Sequence, residues 1–187
     1  NDTATTEIYT EGTYLNGFYE SHPIVYGEKA YGYAAFDQTM LNVPNGKVIR
    51  LYLEDEAFSL LAGKILAYRR VLDLRRGILS RSVVWQSPRG RRVSLEYQRL
   101  VSLTNKHLLA LCCTITPLDF SGRIRLISAL DANVANLTVR DDPRAGPSID
   151  GRGFHTEERR LEGSIGALRL RTNRSDLAMA CAMTHDF

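Results

Sequence analysis

Three pairs of adjacent carboxylates are the residues most suited to acid–base chemistry in this chain: Asp55-Glu56, Asp141-Asp142 and Glu157-Glu158. Two carboxylates cleave a glycosidic bond when they flank it at a separation of about 5–9 Å. Sequence neighbours rarely do so, because successive side chains of a strand point to opposite faces. Glu157-Glu158 also precedes Arg159-Arg160, which favours a solvated charge cluster. We therefore predict that none of these pairs is catalytic.

The histidines and cysteines form no metal, redox or cofactor motif in the sequence. No histidine stands at metal-ligand spacing from a Cys, Asp, Glu or other His, and no phosphate-binding glycine loop follows a predicted strand. Cys112 and Cys113 are adjacent, so in a strand they would face opposite ways and would not bond to each other. With Cys181 they are expected to be buried free thiols. We predict neither a metal nor a cofactor.

Aromatic side chains are concentrated between Gly12 and Gly46, where several glycines indicate bends. A Tyr ring can stack on a sugar while its hydroxyl group forms hydrogen bonds, and it packs equally well in a protein interface. Composition favours a sheet edge or an interface, but both interpretations stay open. The candidate sugar or interface contacts are Tyr14, Asn16, Tyr19, Tyr26, Tyr31 and Tyr33.

Composition is that of an ordinary globular domain. The chain has 187 residues, 44% of them hydrophobic, which indicates a single domain or a domain fragment over 1–187. The formal net charge is only +3 and the arginines are dispersed, so we predict no nucleic-acid partner. No apolar run approaches the ~18 residues of a membrane span, and no signal peptide is evident. The predicted location is a reducing cytoplasm.

Period-two alternation is the dominant pattern and must supply the scaffold. Ile49–Leu53 alternates apolar and polar residues, and Leu79–Gln86 and Val93–Val101 flank a Pro/Gly turn, which predicts a hairpin. Leu108–Ile115 is nearly all apolar and is predicted to be a central strand. The remaining predicted strands are 65–74, 123–130, 168–172 and 177–183, and Asp141–Gly153 is predicted to be a surface loop. Helical patterns are missing, so the sequence predicts an all-β antiparallel sandwich.

Several sequence blocks, in the same order, resemble the amino-terminal domain of glycoside hydrolase family 65. The first is the Tyr-rich segment GTYLNGFYESHPIVYGEKAYGYAAFDQTMLNVPNGKVIRLYLEDEAF. YRRVLDLRRG, which starts at Tyr68, and VVWQSPRG, which starts at Val83, resemble a strand–turn block and a hairpin block of the family. Arg99–Leu103 and Ser128–Val134 match two more blocks. The resemblance runs from about Glu11 to Asn136 and weakens towards Phe187.

The resemblance implies a large antiparallel supersandwich, similar to galactose mutarotase and here truncated. The family comprises maltose, trehalose and kojibiose phosphorylases and some trehalose hydrolases, whose catalytic groups lie in a following (α/α)6 barrel that is absent here. We therefore expect a non-catalytic domain of a glucose-disaccharide enzyme, with inorganic phosphate as co-substrate in a phosphorylase. Its expected partners are the barrel of the same chain and a second subunit in a homodimer. The alternative is a carbohydrate-binding module with exposed Tyr platforms.

Overall fold

The computed structural model describes residues 12–28, 30–136 and 151–187. Within these ranges the regular elements are β-strands, and the strand pairs are antiparallel. The strands are β1 Tyr14–Pro23, β2 Phe36–Asn42, β3 Asn45–Leu53, β4 Glu56–Ala57, β5 Lys64–Asp73, β6 Ile78–Gln86, β7 Arg92–Val101, β8 Leu109–Pro117, β9 Ile124–Asp131, β10 Phe154–Glu162, β11 Ile165–Thr172 and β12 Ala178–Met183.

The described residues form two compact units. The first comprises Ile49–Ser128, and the second comprises the described parts of Thr10–Val48 and Ala129–Phe187. Strands β4, β3 and β9 form a three-stranded sheet in the order β4–β3–β9. The interpretation of residues 1–187 as one domain stays a prediction.

The first unit is built on the four-stranded sheet β5–β6–β7–β8, in which each strand pairs with its sequence neighbour. Period-two alternation puts Val83, Trp85, Val93 and Leu95 on one face, where they are buried with Leu51 and Leu53. The Trp85 indole meets the Phe58 ring edge-on at 5.3 Å between centroids, and its Nε1 donates a hydrogen bond to the Ala62 carbonyl oxygen at 2.7 Å. The predicted hairpin of β6 and β7 is confirmed.

The second unit contains the hairpin β1–β2 and the three-stranded sheet β10–β11–β12. Its core joins one or two side chains from each of four segments: Phe18, Leu41, Val43, Phe154 and Leu170. The buried amide of Asn42 accepts a hydrogen bond from the Thr13 backbone N–H and donates one to the Ala135 carbonyl oxygen. These bonds satisfy a polar group that would otherwise be costly to bury.

Two sequence predictions are wrong for β8. This strand lies at the edge of its sheet and not in the centre, since in the described part of the chain it pairs only with β7. The Cys112 thiol on it is exposed rather than buried, whereas Cys113 is half-buried. An apolar run indicates that a strand packs against something, but it does not specify hydrogen-bonded neighbours on both sides. The predicted loop residues 141–150 lie outside the described residues.

Candidate functional site

The Tyr-rich segment forms the β1–β2 hairpin and the loop that connects its strands. The Ile24 backbone N–H donates to the Ala35 carbonyl oxygen at 3.0 Å and closes the loop at its base. Near its tip, the Tyr33 N–H donates to the Ala30 carbonyl oxygen at 3.3 Å, and Gly32 has a φ of 89°. A positive φ at the third residue of a four-residue turn is typical of a type II turn and favours glycine. Tyr31 therefore occupies the outer corner of this turn.

The loop presents four aromatic residues and one valine that are unusually exposed, and we call this group the aromatic loop: Val25, Tyr26, Tyr31, Tyr33 and Phe36. Tyr31 is fully exposed, Val25 is 91% exposed and Phe36 is 65% exposed. The rings of Tyr26 and Tyr33 lie 4.8 Å apart between centroids with a tilt of 47°, so each restricts the other. The loop thus offers a partly ordered aromatic surface to a ligand or a protein partner.

The structure does not bring all six predicted contact residues together. Tyr26, Tyr31 and Tyr33 lie in the aromatic loop, whereas Tyr14 and Asn16 lie at the start of β1. A strand rises about 3.3 Å per residue, so these two groups are at opposite ends of the hairpin. Tyr19 lies between them and is half-buried. Val25 and Phe36 also belong to the exposed surface, and only their aromatic neighbours in the sequence could have indicated them.

A buried carboxylate anchors the hairpin that carries the aromatic loop. Glu20 is 3% exposed and accepts hydrogen bonds from the backbone N–H groups of Arg174 at 2.8 Å and Ser175 at 3.2 Å. The Ser175 hydroxyl donates to the Tyr19 carbonyl oxygen at 2.6 Å. These bonds join β1 to the turn between β11 and β12. Glu20 is a positioning residue that sequence reasoning missed, because a single acid in a polar stretch gives no signal.

The Asp55-Glu56 pair is bound to the turn between β6 and β7. Glu56 accepts hydrogen bonds from the Ser87 hydroxyl at 2.9 Å, the Arg89 backbone N–H at 2.9 Å and the Arg91 guanidinium at 2.6 Å. Desolvation raises the pKa of Glu56, but these three groups outweigh it and the net pKa lies below its ordinary value. Asp55 pairs with the Arg89 side chain at 2.8 Å. Both acids are thus held in the charged form by their neighbours.

Glu157 on β10 is held in the same way by β11. It accepts hydrogen bonds from Arg171 at 2.6 Å and Arg169 at 2.8 Å, and these arginines lower its pKa. Its partners are cross-strand arginines and not the adjacent Arg159-Arg160. Asp141-Asp142 lies outside the described residues. Within 12–28, 30–136 and 151–187, no group of three or more His, Cys, Asp or Glu residues is placed to hold a metal ion.

Comparison with known proteins identifies the family. The sequence model described as "Glycosyl hydrolase family 65, N-terminal domain" matches residues 2–187. The chain belongs to this family. The resemblance found in the sequence is therefore confirmed over nearly the whole chain, including the part after Asn136 where it had weakened.

Two curated relatives of this family 65 domain are disaccharide phosphorylases. The chain is 45% identical to an alpha,alpha-trehalose phosphorylase of Thermoanaerobacter brockii over 172 residues. This alignment covers 92% of this chain and 22% of that protein. It is 31% identical to a kojibiose phosphorylase of Halothermothrix orenii over 185 residues. This alignment covers 93% of this chain and 22% of that protein. The chain therefore spans about a fifth of the length of these relatives.

A solved structure supports the fold assignment. A human-microbiome protein provisionally described as a kojibiose phosphorylase matches with a TM-score of 0.76 and 22% identity, over 92% of this chain and 21% of that one. The predicted all-β antiparallel sandwich is confirmed. In the described residues, no helix is long and apolar enough to span a membrane.

Proposed function

We propose that this chain is the non-catalytic N-terminal β-sandwich domain of an α-glucoside phosphorylase or hydrolase. Its role is to support the catalytic part of the polypeptide and subunit assembly. One observation carries the proposal: the family 65 N-terminal domain matches residues 2–187, while the phosphorylase relatives are each matched over only 22% of their length. The remaining length of such a protein is where a catalytic (α/α)6 barrel would lie.

The wider protein acts on a glucose disaccharide in this proposal. Its partners are the barrel of the same polypeptide and a second subunit in a homodimer, and it functions in the cytoplasm. Inorganic phosphate is the co-substrate if the enzyme is a phosphorylase. The names of the relatives, trehalose phosphorylase and kojibiose phosphorylase, support the substrate class.

The environment of the carboxylates supports a non-catalytic role. A general acid for glycoside cleavage needs a raised pKa so that it stays protonated near neutral pH. The pKa values of Glu56 and Glu157 are lowered instead, and both side chains are hydrogen-bonded to arginines. These carboxylates accept hydrogen bonds that join strands and turns. The same bonds stabilise their charged form, which cannot donate a proton to a substrate.

The aromatic loop is the contact surface in this proposal. Exposed tyrosines are favoured at interfaces because a rigid ring gives a large contact area with little loss of conformational entropy. In the full-length protein, Tyr31→Ala combined with Tyr26→Ala is expected to weaken subunit assembly or to raise KM by at least ~5-fold, which corresponds to a loss of about 1 kcal/mol, a cost that only a minority of interface residues exceed.

Leu161→Ala is the matched control for this experiment. Leu161 is a large apolar residue in the same unit and is 81% exposed, but it lies at the end of β10 and outside the aromatic loop. It should leave KM and the oligomeric state unchanged. Wild-type assembly and KM in the double Tyr variant would refute the contact role.

A carbohydrate-binding module is the second candidate, and the complete exposure of Tyr31 favours it. Calorimetric titration of this chain with maltose, trehalose and kojibiose should then show saturable binding that Tyr31→Ala abolishes. No heat of binding with any of the three disaccharides would eliminate this candidate and leave the support domain.

The assay of activity separates the support domain from an enzyme. Release of glucose and glucose 1-phosphate from the three disaccharides would be measured for this chain and for the full-length protein, with and without phosphate. The proposal expects activity only in the full-length protein, and phosphate dependence would identify a phosphorylase. Turnover by the isolated chain would refute it.

A further inference from the structure

Asparagine is followed directly by glycine at two positions of the chain, and the fold gives these two dipeptides different settings. Asn16-Gly17 lies in β1, and Asn45-Gly46 begins β3. The backbone nitrogen of the residue after an asparagine can attack the side-chain amide, a slow reaction that makes asparagine thermolabile in proteins. Glycine favours the attack, because it has no side chain in the way and its backbone reaches more conformations. The two sites therefore have similar intrinsic reactivity, and the fold must distinguish them.

Strand β1 is irregular at Asn16-Gly17. Between the paired residues Tyr14 and Tyr19, β1 has four residues where β2 has only one. The extra residues of a bulge have no place in the ladder of hydrogen bonds between the strands. Gly17 has a φ of 80°, a conformation that favours glycine. Regular pairing with β2 therefore does not hold this part of β1.

The bulge is also open to solvent. Asn16 and Gly17 are both exposed, and the preceding residues Tyr14 and Leu15 are 48% and 41% exposed. Chain neighbours apart, no described atom lies within 4 Å of the position that a Cβ atom would take at Gly17. The Asn16 amide and the backbone at Gly17 thus have room to rotate towards each other. An intramolecular reaction becomes fast only when the reacting atoms can reach such a geometry.

Asn45-Gly46 is restrained by its surroundings. Both residues are half-buried, and Asn45 Oδ1 accepts a hydrogen bond from the Lys47 backbone N–H at 3.0 Å, which fixes the orientation of the side chain. A Cβ atom at Gly46 would lie 3.3 Å from Leu130 Cδ2, so this glycine packs closely against a side chain of β9. Attack by the Gly46 nitrogen therefore requires local opening of β3, which costs free energy.

We propose that Asn16 is a site of spontaneous covalent modification, at which the side-chain amide is converted to a carboxylate. The Gly17 backbone nitrogen loses its proton and bonds to Asn16 Cγ, and the bond from Cγ to the amide nitrogen breaks, so that ammonia leaves and a cyclic succinimide remains. Water then adds to either carbonyl carbon of the ring and breaks its bond to the ring nitrogen. One direction of opening gives aspartate and the other gives isoaspartate. In total, water is consumed, ammonia is released and nothing is oxidised or reduced.

The fold can accommodate either product. Isoaspartate lengthens the main chain, but the added atom falls in the bulge, and regular pairing of β1 with β2 resumes at Tyr19. The modified protein is therefore expected to keep its fold and to gain a negative charge on the exposed surface of β1, beside Tyr14. The inference does not depend on the proposed function, because it concerns only the chemistry of the chain itself.

Peptide mapping by mass spectrometry after incubation of the full-length protein at mildly alkaline pH tests the proposal, and Asn45 is the internal control. Conversion of the amide to a carboxylate is expected to be at least ~tenfold faster at Asn16 than at Asn45, as when the second site is open less than a tenth of the time. In concentrated urea the two rates should become similar, because the fold no longer distinguishes the sites. Fragment ions and enzymatic methylation would identify isoaspartate at position 16.

Equal rates at Asn16 and Asn45 in the native protein would overturn the proposal, and so would an Asn16 that reacts only after urea is added. Asn16→Gln is the matched variant, because its longer side chain would have to close a larger ring, which forms more slowly. The acidic species that accumulates in the wild-type protein should not form in this variant, as followed by ion-exchange chromatography. Formation of that species at the same rate in Asn16→Gln would assign the modification to another residue and refute the inference.

Discussion

Replacement of Gly63 by alanine is the sharpest test of how the first unit packs around Trp85. Gly63 precedes β5 and has a φ of 77°, a conformation that favours glycine. A Cβ atom at this position would overlap the Gln86 carbonyl oxygen and lie 2.8 Å from Trp85 Nε1. Neither neighbour can move freely, because Gln86 is part of β6 and the Trp85 indole is completely buried.

The expected loss of unfolding free energy has a conformational and a steric part. A left-handed φ costs an alanine about 1 kcal/mol. Displacement of the chain around a buried side chain costs a further ~1–3 kcal/mol, and loss of the bond from Trp85 Nε1 to the Ala62 carbonyl oxygen costs ~1 kcal/mol. Gly63→Ala should therefore destabilise the protein by about 4 kcal/mol.

Gly77→Ala measures the conformational part alone, so its difference from Gly63→Ala gives the steric part. Gly77 also has a positive φ, of 68°, but the nearest atom to its added Cβ would be Leu100 Cδ1 at 3.5 Å, an ordinary contact. It should therefore lose only the conformational part, about 1 kcal/mol. Gly77→Ala is thus a matched control for the positive φ.

Urea unfolding followed by tryptophan fluorescence is the assay, because the sequence has one tryptophan and Trp85 lies in the first unit. With an m-value of ~2 kcal/mol/M, the midpoint should fall by about 2 M for Gly63→Ala and about 0.5 M for Gly77→Ala. Emission from native Gly63→Ala should also shift to the red as the indole gains water. Equal midpoints for the two variants would refute the reasoning.

Three further predictions concern the anchors of the two units. Glu20→Gln should lower the unfolding free energy by ~2 kcal/mol, because the NH2 of the new amide would face a backbone N–H and two donors would meet. The control Glu28→Gln, at an exposed position, should have little effect. Equal urea midpoints for the two variants would contradict this prediction. The lowered pKa of Glu56 implies a stabilisation that is complete above its ordinary value of 4.5 and disappears as the pH falls through its folded pKa. The difference in midpoint between wild type and Glu56→Gln should therefore shrink below that pH, and a constant difference would exclude the ion pair as its source. Gly153→Ala should destabilise the second unit, because its Cβ would overlap the buried Leu41 side chain, and an unchanged far-UV CD melting temperature would argue against this contact.

The sequence predicted the strands in which one face is apolar and the other polar. Strands β3, β6 and β7 follow this pattern, and their predicted positions agree with the structure within a few residues. Strand β1 was not predicted from the sequence. Its inward residues are Phe18, Glu20 and His22, so its buried face is largely polar and gives no apolar alternation. A bulge between Tyr14 and Tyr19 breaks the alternation further.

The candidate contact residues were identified by type, but their grouping required coordinates. The turn Ala30–Tyr33 and the ring contact between Tyr26 and Tyr33 depend on the loop conformation, which composition does not encode. The separation of Tyr14 and Asn16 from the loop follows from strand β1, the element that the pattern failed to reveal. A missed strand therefore led directly to one predicted site where the structure has two groups.

The carboxylates illustrate why residue type alone is a weak guide to catalysis. Adjacent acids such as Asp55-Glu56 are compatible in the sequence with acid–base chemistry, with a solvated surface or with a structural role. The direction in which the pKa is shifted distinguishes these roles, because a proton donor requires an environment that destabilises the charged carboxylate and so raises its pKa. Around Glu56 and Glu157 the arginines and N–H groups do the opposite. The exposed side chains of the aromatic loop, with Tyr31 at the outer corner of its turn, are the surface to which the proposed function assigns the contact role.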